Sequence, residues 1–102
     1  MIRELVTINI RAGASAMFEE SVAEAKDIIA AAPGFDHLEL RRCIEVENRY
    51  LLLIGWDRLE DHIEGFRGSP DYPRWRALLE PSFDSPPTVE HFELVARTDR
   101  PN

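Results

Sequence analysis

One hundred and two residues, 44% of them hydrophobic, suit a single globular domain with one core, near the size at which a partner subunit adds useful burial. Nineteen acidic against 12 basic side chains give a formal charge of -7, which opposes binding to phosphate backbones and anionic membranes, so neither nucleic acid nor membrane is an expected partner. The lone Cys43 excludes an intramolecular disulfide; with no apolar leader after Met1 and Leu51–Ile54 too short to span a bilayer, a cytoplasmic protein is expected.

The chain opens with a strand over Leu5–Ile10, where Val6, Ile8 and Ile10 take one face and Leu5, Thr7 and Asn9 the other. A helix beginning at Ala14 or Ser15 follows, with Phe18, Val22, Ala25, Ile29 and Ala32 at intervals of three and four, and Pro33-Gly34 stops it. From Phe35 to Val46 the period changes to two: Leu38, Leu40, Ile44 and Val46 alternate with His37, Glu39, Arg41 and Cys43. Glu47-Asn48-Arg49 makes a turn into Tyr50–Trp56, whose near-continuous apolar run marks a central strand. Asp57 and Glu60 have capping-box spacing and predict a short helix carrying Leu59, His62, Ile63 and Phe66. After Gly68-Ser69-Pro70, a second short helix over Asp71–Leu79 carries Tyr72, Trp75, Leu78 and Leu79. Pro81–Pro87 is a loop, Thr88–Ala96 a last strand, and residues 97–102 a polar tail.

The order β-α-β-β-α-β folds most simply as an antiparallel four-stranded sheet with helices on one face, an α+β, ferredoxin-like arrangement in one domain spanning residues 1–102. Helices on one face leave the other bare, although the first, third and fourth strands carry apolar residues on both. A second copy of the sheet is the expected cover, giving a homodimer with a shared β-barrel.

Pro33-Gly34-Phe35, the Tyr50–Trp56 strand, Leu59-Glu60-Asp61-His62, Phe66-Arg67-Gly68-Ser69, Tyr72, Trp75-Arg76 and Thr88-Val89-Glu90-His91-Phe92 together resemble the antibiotic biosynthesis monooxygenase (ABM) domain family of dimeric α/β barrels. The resemblance covers almost the whole chain. It implies a fold, and a choice among cofactor-independent monooxygenases of anthrones or quinols, haem-degrading enzymes, and members acting on small signalling molecules. The haem-degrading relatives resemble one another in an Asn on the first strand, a Trp after the third and an iron-ligating His on the next helix. The corresponding places here hold Val6, Phe66 and Trp75 or Arg76, so no haem is expected unless His62 or His91 ligates iron in a new arrangement.

Cofactor-free oxygenation requires a proton acceptor, a dry apolar cavity and groups that stabilise a developing anion. The residue types offer His62, Tyr72 and His91 for the proton chemistry, with His37 a more exposed candidate. Asn9, Trp56, Phe66, Arg67, Trp75 and Phe83 are candidates for substrate binding, with Arg76 as a second cation. Each has a structural alternative. His62 fits either a cavity or packing at a helix edge; His91 fits catalysis or a hydrogen bond across a dimer; Arg67 fits an anion clamp or a pair with Asp71; Trp56 fits core or wall. The three histidines lack metal-site spacing, so no metal is expected, and no cofactor. The expected function is monooxygenation of a small aromatic or quinol-like substrate, with a stress-response protein or one that binds a small hydrophobic ligand without turnover as the alternative.

Overall fold

The computed structural model describes residues 1–102. Strand β1 (Ile2–Asn9) leads to helix α1 (Ser15–Ala30), strands β2 (Phe35–Arg42) and β3 (Arg49–Trp56), a π-helical turn (Asp61–Phe66), helix α2 (Tyr72–Leu79), a 3-10 turn (Glu80–Ser82) and strand β4 (Thr88–Glu93). The four strands form one antiparallel sheet in the order β2-β3-β1-β4, the ferredoxin-like α+β fold. No helix is long and apolar enough to cross a membrane.

Alternation on the strands decides what meets the helices. Val6, Ile8 and Ile10 from the β1 segment and Tyr50, Leu52, Ile54 and Trp56 from β3 are buried, and Phe18, Val22, Ala25 and Ile29 of α1 close over them. Burying a side chain such as Phe18 or Ile29, 0% and 1% exposed, contributes about 2 kcal/mol each. The Tyr50 hydroxyl donates to Glu19 of α1, which also pairs with Arg42 of β2, so one carboxylate ties the helix to two strands. Gly34 adopts a φ of +82°, and a Cβ there would meet the Asp61 side chain. Glycine therefore serves both the left-handed turn and the close approach of the segment that carries the site.

Three sequence expectations need correction. β2 ends at Arg42 rather than Val46: Cys43 N–H donates to Arg49 O, the chain turns through Asn48 at φ 61°, and Ile44 is left 93% exposed. β4 ends at Glu93 rather than Ala96: its last pair with β1 is Ile2–Glu93, and Leu94 and Val95 beyond it are exposed. The Asp57–Glu60 capping box does not form. Asp61 instead reaches back to accept the Arg58 N–H at 3.1 Å, and the turn that follows is π-helical, with Arg67 N–H donating to His62 O across five residues.

Candidate active site

A cavity of about 280 Å³ lies between the sheet and the helices, at the small end of ligand-pocket sizes and suited to a compact planar molecule. Its floor is Val6, Ile8, Leu52 and Ile54; Phe66, Trp75 and Leu79 form the opposite wall. The exposed residues Arg67, Arg76, Glu80 and Pro86 border it. Val89 of the edge strand also lines it and is 37% exposed, because the helices do not extend over β4.

A line of three ionisable side chains drawn from three elements runs beside the floor, with Glu4 and His62 lining the cavity and His91 reached through His62. Glu4 is only 5% exposed, on the helix-facing side of β1 directly across from His91 of β4. Its Oε1 accepts the Trp56 indole N–H at 2.9 Å, and its Oε2 lies 3.2 Å from His62 Nε2. His62 Nδ1 lies 2.8 Å from His91 Nε2, one nitrogen donating to the other. The wide π-helical turn projects His62 inward, and π-helical turns recur at functional positions in helices. The Trp56 ring stacks on His62 with centroids 5.6 Å apart, holding the imidazole plane.

Burial sets the protonation of this line. Glu4 is pushed above the ordinary carboxylate range by desolvation, partly opposed by the indole hydrogen bond and by the Arg67 charge. Desolvation, reinforced by Arg67 and His91, pulls His62 down from 6.5 to about 4, and His91 is lowered by burial and Arg67. Both imidazoles are neutral at physiological pH and are therefore carriers rather than stores of protons.

The opposite shifts give opposite pH slopes. An unfolded His62 binds its proton near 6.5 and the folded one near 4, so this group's contribution to stability is lost as pH falls across that interval. Folded Glu4 holds its proton to higher pH than the unfolded value of 4.5, so its contribution is lost as pH rises above 4.5. Glu4→Gln, which keeps the shape and removes the charge, is expected to be more stable than wild type at pH 8. That advantage should vanish as pH falls towards 4.5, and urea unfolding across the range checks it.

The candidates divide by position. His62, Phe66, Arg67, Tyr72, Trp75, Phe83 and Arg76 line the cavity. His91 reaches it through a hydrogen bond with His62. Asp71 pairs with Arg74 at 3.0 Å and not with Arg67, whose charge lowers the pKa of both histidines. Trp56, 0% exposed, is not a cavity wall but the group behind Glu4. Asn9 lies away from the cavity, on the bare face of the sheet, where its Oδ1 accepts from Arg49 Nε at 2.9 Å. His37 also lies on the bare face, beside Asp36 and over Gly55, where any Cβ would collide with its ring. Both ring nitrogens of His62 are engaged by protein atoms, an arrangement unsuited to an iron ligand. Glu4 was not among the candidates. Its signal is a carboxylate two residues before Val6 on a face that is otherwise apolar, visible once the strand is begun at Ile2.

Comparison with known proteins agrees with this architecture. The family profile described as antibiotic biosynthesis monooxygenase matches residues 1–78. The uncharacterised protein YczJ of Bacillus subtilis (strain 168) is 43% identical over 95 residues, covering 93% of this chain and all of that protein. A solved structure of this family from Bordetella bronchiseptica superposes with a TM-score of 0.90 at 36% identity, covering 93% of this chain and 97% of that one. SnoaB, a cofactor-independent oxygenase from Streptomyces nogalater, superposes with a TM-score of 0.70 at 24% identity over 99% and 97% of the two chains, a likeness of fold. By these matches the chain belongs to the antibiotic biosynthesis monooxygenase family.

Proposed function

We propose that this protein is a cofactor-independent monooxygenase of a small aromatic substrate, a quinol or an anthrone-like ketone, working in the cavity between sheet and helices. The observation that carries this reading is the meeting, in one small apolar cavity, of a buried proton-accepting line and the unpaired charge of Arg67 at its border. Aromatic walls suit a planar substrate, and exclusion of water protects a carbanion from simple reprotonation.

The chemistry needs a proton taken and returned. Loss of a proton from the substrate's CH₂ or hydroxyl group leaves an electron-rich anion, which passes one electron to dioxygen; the radical pair then combines as a peroxide anion. For a CH₂ substrate, protonation of the peroxide and elimination of water leave a carbonyl, so that CH₂ and O₂ become C=O and H₂O. Arg67 is placed to stabilise negative charge at each stage.

The same proposal includes a cytoplasmic homodimer. Its support is the bare sheet face, where Leu5 and Leu51 lie with the 48% exposed Phe92, beside the exposed Leu94 and Val95, an apolar surface that a second copy can cover. Sedimentation equilibrium should give twice the chain mass.

Oxygen uptake tests the activity. Protein freed of metals by chelation and given an anthrone or a naphthoquinol should consume one O₂ per product and, for the anthrone, place one ¹⁸O atom from ¹⁸O₂ in the new carbonyl. Stoichiometric binding of these compounds without oxygen uptake would favour a ligand-binding protein that does not turn its ligand over. That second reading draws on His62 having no ring nitrogen free of the protein.

A further inference from the structure

We propose that Glu4 is the group that takes the substrate's proton and gives it back, and that His62 and His91 form the path joining Glu4 to solvent. The proposal deepens the monooxygenase reading and rests on it only for the identity of the proton donor. The argument begins with valence. His62 has two ring nitrogens and both are in use, one 3.2 Å from Glu4 Oε2 and one 2.8 Å from His91 Nε2. It cannot accept a third group's proton without losing a partner, so the histidine that the sequence singles out as base is the middle of a chain.

Glu4 is the end of that chain inside the cavity. Its carboxylate accepts one indole hydrogen bond and faces one imidazole, and two oxygens carry about four acceptor positions, so capacity remains for a substrate hydroxyl or an acidic C–H. His91 is the other end. It is half-buried on the edge strand, and only its Nε2 is engaged by the protein.

Two arrangements of protons satisfy every contact. With Glu4 ionised, His62 Nε2–H points to the carboxylate, His91 Nε2–H donates to His62 Nδ1, and His91 Nδ1 is bare. With Glu4 protonated, its O–H points to His62 Nε2, His62 Nδ1–H donates to His91 Nε2, and His91 Nδ1–H faces outward. Moving from one to the other transfers one proton between the cavity and solvent, breaks no heavy-atom contact and leaves both imidazoles neutral throughout. The charged or titratable groups around Glu4 are few: Arg67 after the π-helical turn, His62 within it, His91 on β4, and Tyr72, Arg76 and Glu80 on the far side of the cavity, of which Arg76 and Glu80 pair with each other. The neighbours of Glu4 on the same face of β1 and β3 are apolar, except for Trp56. Burial raises Glu4 and lowers both histidines, which disfavours an ion pair and favours a neutral proton-carrying chain.

The test needs no substrate. In ¹⁵N-resolved NMR of the wild-type protein, His62 should be the Nε2–H tautomer at high pH, where Glu4 is ionised, and turn to the Nδ1–H tautomer as the pH is lowered and Glu4 takes up its proton. In Glu4→Gln the side-chain amide donates to His62 Nε2 and should lock the Nδ1–H tautomer at every pH. Should that variant not fold, difference infrared spectroscopy of the wild type must show the carbonyl stretch of a buried, protonated carboxyl appearing over the same interval. A His62 tautomer that is fixed in wild type or unaltered by Glu4→Gln would overturn the proposal, as would absence of the carboxyl band. A tautomer switch in a protein that oxidises no quinol or anthrone would leave the proton path standing and remove the monooxygenase reading; turnover without the switch would do the reverse.

Discussion

In oxygen-uptake assays, His62→Ala is expected to lose about 10²–10³-fold in kcat, the scale of positioned acid–base catalysis, with KM changed far less. The reason is the position of the ring rather than its basicity. His62 sits between Glu4 and His91, and without it Glu4 loses a hydrogen-bond partner and its link to solvent, so its protonation is no longer readily reset between turnovers. The Ala variant leaves a ring-sized hole beside the Trp56 indole, which stacks on His62 in the native protein. Added imidazole should therefore restore part of kcat, in a saturable way. An unchanged kcat, or a loss confined to KM, would mean that His62 only shapes the wall.

The second large effect concerns stability. Trp56→Phe is expected to destabilise the protein by about 3 kcal/mol, of which part is lost aromatic volume in a position that is 0% exposed and part is the carboxylate left behind. The indole N–H is the one hydrogen-bond donor apart from imidazole that holds Glu4, at 2.9 Å. Removing it leaves the carboxylate buried with less compensation, which should raise Glu4 further above the ordinary range. The two contributions separate in a double-mutant cycle. If the hydrogen bond matters as argued, Trp56→Phe should cost about 1–2 kcal/mol less in a Glu4→Leu background than in wild type, measured by urea unfolding at pH 8.

The fold was legible because its signals are local and periodic. Val6, Ile8 and Ile10, and Phe18, Val22, Ala25 and Ile29, mark the buried faces of one strand and one helix by spacing alone, and these residues are buried. Periodicity failed at strand ends. Ile44 and Val46 continue the alternation of Leu38 and Leu40, yet a strand ends where its partner ends, and the β3 ladder reaches only to Tyr50 opposite Arg42. Leu94 and Val95 overran β4 for the same reason.

The cavity was partly legible and its polar line was not. His62, Phe66, Tyr72 and Trp75 could be grouped because they recur on successive short helical segments that must face the sheet, and they do line one cavity. Asn9 is a polar side chain in an otherwise apolar strand, but it lies on the opposite face of the sheet, where its oxygen accepts from Arg49. Glu4 escaped because a carboxylate near the start of a chain reads as solvated. What makes it functional is the antiparallel register that sets it across from His91 and lets it contact the Trp56 indole, 52 residues away in the chain. Side-chain contacts of that separation follow from strand order and not from any local pattern.

The most direct measurement removes oxygen and watches the proton alone. A phenol whose ionised form has its own absorption band, mixed anaerobically with the protein at a pH well below the phenol's solution pKa, should bind to wild type as the phenolate. The same compound should bind to Glu4→Gln as the neutral phenol. A phenol that stays protonated on wild type, or ionises equally on both proteins, would contradict the assignment of Glu4 as the proton acceptor of this cavity.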